Sequence, residues 1–332
     1  MPDVIRLDFD PTIAPFGLTV RLETLALAGV IFDVLVLVAI GAGRMRTQGS
    51  ADPGARGKDA GRLRRDDLIL IAFGAVPGAV VGARLDYGLL HLDYFGADFS
   101  RLTDPAQGGL ALSLAVVLGT VTALAVARLL TAPIASWLHV VSVPLLIGLG
   151  LGKLAMVLGG DGQGQFSDAS WATLYVRPGP WQSANASAAA VPSQAFEGIL
   201  VLVAAVLILA VPVALRLRLR RWRRVVRPGL DPRREWWLLT GYRRFFTALC
   251  LWCVARFAVA FTWRDAQVAG SLRAEQLVLL AVFTGCALTI VSAGLLERRE
   301  KRAAARVAAL AAKVRIGADL PEPRTGSGAV PG

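Results

Sequence analysis

Long hydrophobic runs alternate with shorter polar and charged segments along the whole chain. A helix that crosses the hydrocarbon core of a bilayer, about 30 Å thick, needs about 20 mostly apolar residues. Seven runs approach or exceed this length, and each predicts a membrane-spanning helix. They cover residues 19–43, 67–90, 109–131, 136–159, 196–215, 243–263 and 275–296. The pattern therefore predicts an all-α integral membrane protein, a bundle of about seven transmembrane helices.

Positive charge is concentrated in three of the segments that separate or follow these runs. Of the 36 Lys and Arg residues, seven lie in 44–65, eleven in 216–244 and eight after 297, whereas 91–108 and 160–195 contain one each. Cytoplasmic segments of membrane proteins are enriched in Lys and Arg. We therefore predict that the N-terminus lies outside and the C-terminus in the cytoplasm, which requires an odd number of spans. The same distribution attributes the net charge of +12 to membrane topology rather than to nucleic-acid binding.

This topology divides the chain into three parts. We predict an external N-terminal segment at 1–18, a membrane domain at 19–296 and a basic, partly disordered cytoplasmic tail at 297–332. Within the membrane domain, 44–66 and 216–242 are predicted cytoplasmic loops. The stretch from 216 either extends the fifth helix along anionic headgroups or is a solvated loop.

The predicted external loop at 160–195 is the longest on its side of the membrane. Loops of this length are usually functional or disordered, so a functional site is expected at the outer face. Trp171, Tyr175 and Trp181 in this loop are expected to form part of an interfacial aromatic belt.

Ionisable side chains interrupt three of the predicted spans. Arg84 and Asp86 lie in the second, Lys153 lies in the fourth, and Arg256 lies in the sixth. A charge at the bilayer centre costs about 2.5–3.5 kcal/mol, so such residues usually face the bundle interior. Several cations that converge there favour an anionic ligand, and a phospholipid headgroup is the local candidate. The alternative is a structural ion pair, for example of Arg84 with Asp86 or with Glu197.

Glycines surround Lys153 and continue past Asp161 into the external loop. Close helix packing explains Gly148, Gly150 and Gly152. The glycines that follow in the loop are also expected to expose backbone N–H groups to phosphate oxygens.

The three cysteines all lie inside predicted spans. Cys250 and Cys253 have the spacing of a redox motif, but a lipid-embedded helix is not its usual context. We therefore interpret Cys250, Cys253 and Cys286 as small buried side chains. The sequence offers no convincing metal-ligand cluster, and no metal or cofactor is expected.

Five segments carry a resemblance to a known family. They are GARLDY, GGLALSLAVVLG, LIGLGLGKLAMVLGGDGQGQFSDASWATLYV, VPSQAFEGIL and ARFAVAFTWRDAQ, in this order. Together they resemble bacterial prolipoprotein diacylglyceryl transferase, over roughly residues 8–296. The family's topology agrees with the one predicted from charge.

The resemblance implies a reaction and its setting. The family transfers the diacylglyceryl group of phosphatidylglycerol to the lipobox cysteine of a preprolipoprotein signal peptide, in the bacterial cytoplasmic (inner) membrane. The products are a thioether-linked lipid and glycerol phosphate. The implied partners are phosphatidylglycerol, the lipobox peptide and the membrane, with no cofactor.

The resemblance also implies the site residues. Arg256 and Lys153 would hold the phosphate, and Asp161 is the third catalytic candidate; Lys153 stands where the family has Arg, and Asp161 where it has Glu. The remaining implied substrate-binding residues are Arg21, Arg84, Ser113, Gly160, Gly164, Gln194, Glu197 and Arg264.

Departures from the family pattern leave a second function open. Ser113 stands where the family has His, Glu23 where it has Tyr, and Met156 and Gly159 where it has Asn. The chain is therefore either an active transferase with a remodelled site or a silent or repurposed paralogue that binds phospholipid or lipoprotein in the same cavity. A transporter would predict repeated halves with broken helices, and the sequence has no internal repeat.

Overall fold

The computed structural model describes residues 4–45, 64–96, 98, 100–104, 109–177, 179–181, 188–223 and 241–318. Each of the seven hydrophobic runs forms a long helix there. These helices are α1 (Leu22–Arg44), α2 (Arg65–Leu90), α5 (Ser113–Leu129), α6 (Ile134–Met156), α7 (Ser193–Arg223), α8 (Arg243–Ala260) and α9 (Ala274–Ala318). Two single-turn helices, α3 (Leu92–Phe95) and α4 (Ser100–Thr103), connect α2 to α5.

The prediction of an all-α membrane protein is confirmed. Five helical stretches are long and apolar enough to cross a membrane, and α5 is a shorter apolar helix; the five are Leu22–Arg44, Asp66–Leu90, Ile134–Met156, Ser193–Ala214 and Ala274–Ala304. α8 contains Arg243, Arg244 and Arg256, which lower its hydropathy. Seven spans, with the N-terminus outside, stay a prediction.

The chain forms two compact units, residues 1–287 and 288–332. The second unit consists, in its described part, of the C-terminal portion of α9, which continues as a helix past the predicted boundary at 296. The first residues of the predicted tail are thus helical. Most of the predicted loop 44–66, the segment 224–240 and the last residues from 319 lie outside the described residues.

Glycines set how closely the helices of the first unit approach each other. A Cβ atom at Gly78 or Gly82 of α2 would collide with backbone carbonyl oxygens of α5, those of Leu118 and Leu114. Gly198 of α7 faces Gly150 of α6 in the same way, since an added Cβ would lie 2.8 Å from the Gly150 carbonyl oxygen. Small residues at these positions allow backbone-to-backbone packing where the hydrophobic effect is weak.

The main core lies between α6, α7, α8 and α9. Its most buried side chains include Leu146, Val201, Trp252 and Leu279, all with an exposed fraction of 1% or less. A smaller apolar cluster joins α1, α2 and α6 through Val38, Leu68 and Trp137.

Short strands join the segments that we predict to be external. They are β1 (Ile5–Leu7), β2 (Thr12–Ile13), β3 (Val20–Arg21), β4 (Thr173–Tyr175), β5 (Gln267–Ala269) and β6 (Leu272–Arg273). β1 pairs in parallel with β4, which connects the N-terminal segment to the loop between α6 and α7. That loop also contacts the end of α8, because Gln165 N–H donates to the Thr262 carbonyl at 2.8 Å. These contacts are those expected of segments on one side of a membrane.

Candidate functional site

Five charged or polar side chains from five helices meet inside the bundle. Arg256 Nη1 lies 2.5 Å from Glu197 Oε1, and Arg256 Nε lies 2.8 Å from Glu275 Oε1. Lys153 Nζ lies 3.4 Å from the other oxygen of Glu197. Ser113 Oγ donates to Glu275 Oε1 at 2.5 Å. We call these five residues the ionic cluster.

The ionic cluster is buried and balanced in formal charge. The exposed fractions of the side chains are 1% for Glu197, 2% for Glu275, 6% for Arg256 and 14% for Lys153. Each cation faces a carboxylate, which offsets part of the cost of removing charge from water. The Arg256 guanidinium also lies 4.6 Å from the ring centre of Trp263, a cation–π contact.

The order of the helices explains why these residues meet. Ser113 begins α5, Glu197 lies near the start of α7, and Glu275 is the second residue of α9. Lys153 lies in the last turn of α6, and Arg256 lies near the end of α8. Successive antiparallel helices place these ends together. Carboxylates near helix N-termini and a cation near a C-terminus also suit the helix dipoles.

Asp86 lies beside the ionic cluster and fixes the start of α5. It is 0% exposed, and its Oδ2 accepts the Leu114 N–H at 3.0 Å. It also lies within electrostatic range of Glu275 and Arg256. From the sequence, Asp86 stood out as a charge within a span and as a possible partner of Arg84.

Arg84 holds the connection between α2 and α5. Its guanidinium donates to backbone carbonyls of that connection at 2.7–3.1 Å; the acceptors are Arg101, Leu102, Asp104 and Gly109. Glu197, one of the partners considered for Arg84, pairs instead with Lys153 and Arg256. A substrate-binding role for Arg84 stays a prediction.

A second acidic group lies where α6 runs into the external loop. The Glu23 carboxylate lies against Gly159, where a side chain would overlap it. Asp161 is half-buried and lies within electrostatic range of both Glu23 and Lys153. The site thus extends from the ionic cluster toward Asp161.

Tyr175 is a buried anchor of this loop rather than an exposed aromatic of a membrane belt. It is 3% exposed, and its hydroxyl donates to the Val157 carbonyl at 2.7 Å. Burial raises the pKa of Tyr175. Trp171, in contrast, is 45% exposed.

The loop glycines serve turns and packing. Gly160 has φ of +79°, and its N–H donates to the Met156 carbonyl at 3.0 Å. The Gly164 N–H donates to the Val191 carbonyl at 2.8 Å, and its α-carbon is enclosed by Ser193 and Thr262. These amides are therefore already engaged, and their predicted contact with phosphate would require the loop to rearrange.

Two of the predicted arginines hold the external loop. Arg264 Nε donates to the Gly164 carbonyl at 2.5 Å, and its guanidinium lies 4.2 Å from the Phe166 ring centre. Desolvation lowers the pKa of Arg264. Arg21 Nη2 donates to the Pro180 carbonyl.

The structure thus brings together Ser113, Lys153, Glu197 and Arg256 from the predicted site. Gln194, 1% exposed, lies one turn before Glu197 on α7. Sequence reasoning missed Glu275, and the available signal was a carboxylate at the start of the seventh run. It also named Glu23 only as a departure from the family pattern.

The three cysteines are free thiols inside the helices, Cys253 and Cys286 being buried. No group of three His, Cys, Asp or Glu side chains that could hold a metal ion is found in the described part of the chain.

Fold and site together define a multi-pass α-helical membrane protein with a polar site at one end of its bundle. The sequence model of the prolipoprotein diacylglyceryl transferase family matches residues 29–292, which include all five residues of the ionic cluster. The protein belongs to this family, which confirms the resemblance seen in the sequence. A search of curated proteins finds no match. Family membership indicates a transferase with a lipoprotein substrate and a membrane lipid context.

Proposed function

We propose that the protein transfers the diacylglyceryl group of phosphatidylglycerol to the lipobox cysteine of preprolipoproteins, in the bacterial cytoplasmic membrane. One observation carries this proposal. Lys153 and Arg256, the two cations at the family's phosphate-binding positions, are held beside each other by the single carboxylate of Glu197. This arrangement presents two positive charges at one place inside the bundle.

The cations are suited to stabilise a phosphate leaving group. In the proposed reaction the cysteine thiolate attacks the glycerol carbon that bears the phosphate ester. A sulfur–carbon bond forms, the carbon–oxygen bond breaks, and glycerol phosphate leaves with the electron pair. Negative charge grows on the phosphate oxygen, where preorganised cations lower the barrier. Lys153 is more exposed than Arg256 (14% against 6%), so we assign it the first contact with phosphate.

Formation of the thiolate requires a proton acceptor. We assign this role to Asp161, which is half-buried and lies within electrostatic range of Glu23 and Lys153. Neither His91 nor His139 belongs to the ionic cluster. The Ser113 hydroxyl donates a hydrogen bond to Glu275. A carboxylate is therefore the available base next to the proposed phosphate site.

One buried oxygen of Glu275 favours a lipid substrate that carries hydroxyl groups. Its Oε2 atom is buried and accepts no hydrogen bond from any residue that the structure describes. A buried carboxylate oxygen without a partner is costly, and a bound donor group would remove that cost. The glycerol headgroup of phosphatidylglycerol supplies such hydroxyl donors.

Reconstitution tests the proposal. Purified protein in vesicles of phosphatidylglycerol is given a lipobox peptide, and the mass of the peptide is measured. Transfer adds a diacylglyceryl group to the thiol, and Arg256→Ala abolishes the transfer. The absence of lipidation in vesicles where an established transferase works would refute the proposal.

The charge balance of the ionic cluster favours a second candidate, a paralogue that binds lipid without transferring it. Both cations are already paired with carboxylates, and Ser113 replaces the family's His. Growth of a strain that lacks the transferase, restored by this gene alone, would exclude this candidate.

A further inference from the structure

An exposed carboxylate lies in the middle of α1. Asp33 is the twelfth of the 23 residues of this helix, and no other charged residue lies between Glu23 and Arg44. Its side chain is exposed at the surface of the bundle, and it makes no ion pair or hydrogen bond with a residue that the structure describes. A carboxylate at the centre of a bilayer is costly, and such a residue usually faces a partner that compensates its charge. The described part of the chain supplies no such partner to Asp33.

Asp33 points away from the helix on which α1 packs. Val34 faces Gly148 of α6. Asp33 precedes Val34 by one residue, so its side chain leaves the helix about 100° away from that contact. Gly29 lies one turn before Asp33 on the same side, and a Cβ atom at Gly29 would meet nothing within 4 Å. A glycine at such a position lets another helix approach closely. We call the surface formed by Gly29 and Asp33 the acidic face of α1.

The depth of Asp33 follows from the start of α1. The Glu23 carboxylate lies against Gly159, two residues before Asp161. Asp33 follows Glu23 by ten residues on the same helix, which corresponds to about 15 Å at 1.5 Å per residue. In the topology predicted from charge, this distance leads from the outer end of the bundle toward the cytoplasm. A partner of Asp33 therefore lies about 15 Å deeper in the membrane than the proposed base.

A signal peptide has a cation at this distance from its cysteine. Secretory signal peptides begin with a positively charged n-region, followed by an apolar h-region of about 7–15 residues. As a helix, the h-region measures about 10–22 Å, which is shorter than the hydrocarbon core of about 30 Å. When the cysteine at its outer end reaches the candidate site, the cations at its other end are therefore held within the bilayer, near the depth of Asp33.

We propose that Asp33 binds a Lys or Arg of the signal-peptide n-region, with the h-region packed along the acidic face of α1. This inference rests on the proposed function, from which it takes its substrate. Charge complementarity and depth select this occupant. A second copy of the chain, related by a two-fold axis along the membrane normal, would instead bring one Asp33 toward the other, and like charges repel.

Binding of a fluorescent lipobox peptide measures this contact without requiring lipid transfer. The protein is placed in phosphatidylcholine vesicles, because anionic lipids would themselves attract a cationic peptide. Two peptides are compared, one with Lys in its n-region and one with Gln at the same positions. The wild type should bind the Lys peptide about tenfold or more tightly, since only Lys makes the charge-assisted contact.

Two pairs of variants locate the peptide. Asp33→Asn should weaken binding of the Lys peptide alone and so remove the preference, whereas Asp93→Asn changes an exposed carboxylate outside α1 and should keep it. Gly29→Leu should weaken binding of both peptides, because its side chain fills the space through which the h-region approaches. Ala28→Leu is the control, since Ala28 is exposed but points about 140° away from Asp33. Thermal unfolding checks that each variant is folded.

Reversal of the charge separates recognition from a structural role of Asp33. Asp33→Lys should lose the preference for the Lys peptide and gain one for a peptide with Glu in its n-region. Failure of both Asp33→Asn and Asp33→Lys to change the preference would refute the proposal. The proposal would also be wrong if Asp33→Asn altered the oligomeric state and left binding of both peptides unchanged, because Asp33 would then belong to an interface between copies.

The transfer assay separates this inference from the proposed function. With the Lys peptide, Asp33→Asn should raise KM about tenfold and leave kcat unchanged, since Asp33 is far from the reacting atoms. Lipidation that is independent of the n-region charge and of Asp33 would refute this inference and leave the proposed function standing. Binding that depends on both charges, without lipidation, would support this inference and contradict the proposed transfer.

Discussion

Replacement of Glu197 by Gln is the sharpest test of the ionic cluster. Gln keeps the volume and shape of the side chain, so no cavity forms. It removes the one negative charge that faces both Lys153, at 3.4 Å, and Arg256, at 2.5 Å. Glu275 then remains the only carboxylate of the cluster, and it faces Arg256 alone.

The magnitude follows from the two distances. At an effective dielectric constant of about 20, unit charges 2.5 Å apart attract by about 7 kcal/mol, and charges 3.4 Å apart by about 5 kcal/mol. The cost of desolvating the carboxylate opposes this attraction. Removal of one partner of a buried pair therefore costs about 3–5 kcal/mol, which corresponds to a fall in Tm on the order of 10 °C.

Thermal unfolding of the purified protein measures this effect. Asp93→Asn, which changes an exposed carboxylate, is the control and should shift stability by less than about 0.5 kcal/mol. Adding Lys153→Met to Glu197→Gln removes one stranded cation and should recover part of the loss. If Glu197→Gln were as stable as Asp93→Asn, or if the double variant showed purely additive losses, the pairing inferred here would be wrong.

Three further predictions concern the phosphate cations, helix packing and the external loop. Lys153→Arg should preserve or raise lipid transfer, and Arg256→Ala should lower it about 100-fold or more. If neither substitution changed lipid transfer, the two cations would have only a structural role. Gly198→Leu should lower Tm by several degrees because its side chain meets the Gly150 carbonyl, whereas Gly29→Leu points into open space and should not. Tyr175→Phe should cost about 1 kcal/mol. Because burial raises the pKa of Tyr175, the free energy of unfolding of the wild type should also fall as pH rises above about 10. Tyr175→Phe should lack this part of the pH dependence. Identical pH profiles of stability for the two proteins would contradict the expectation.

The seven helices were predictable because membrane spans are long and locally encoded. Each hydrophobic run forms a helix. The helix ends differ from the ends of the runs where helical hydrogen bonds continue into polar sequence. The run 196–215 predicts the apolar length of α7, which begins at Ser193 and continues to Arg223. α9 likewise continues to Ala318, because helical hydrogen bonds persist after the side chains become polar.

The candidate chemistry was predictable in part. Charges within apolar runs are costly, so Arg256 and Lys153 stood out from residue type and position alone. Family resemblance added Ser113 and gave Glu197 a substrate-binding role. Glu275 escaped notice because it lies at the edge of a run, where a carboxylate is inexpensive and common.

By itself, the sequence determined the helical membrane architecture, the family and the identity of the buried cations. Only the tertiary structure decided which groups those cations face. Glu197 and Glu275 are far apart in the chain and meet at Arg256 because helix order and helix rotation bring both to one guanidinium. The pattern of one helix records which side is polar but not which partner that side meets. The balanced ionic cluster is therefore a property of packing.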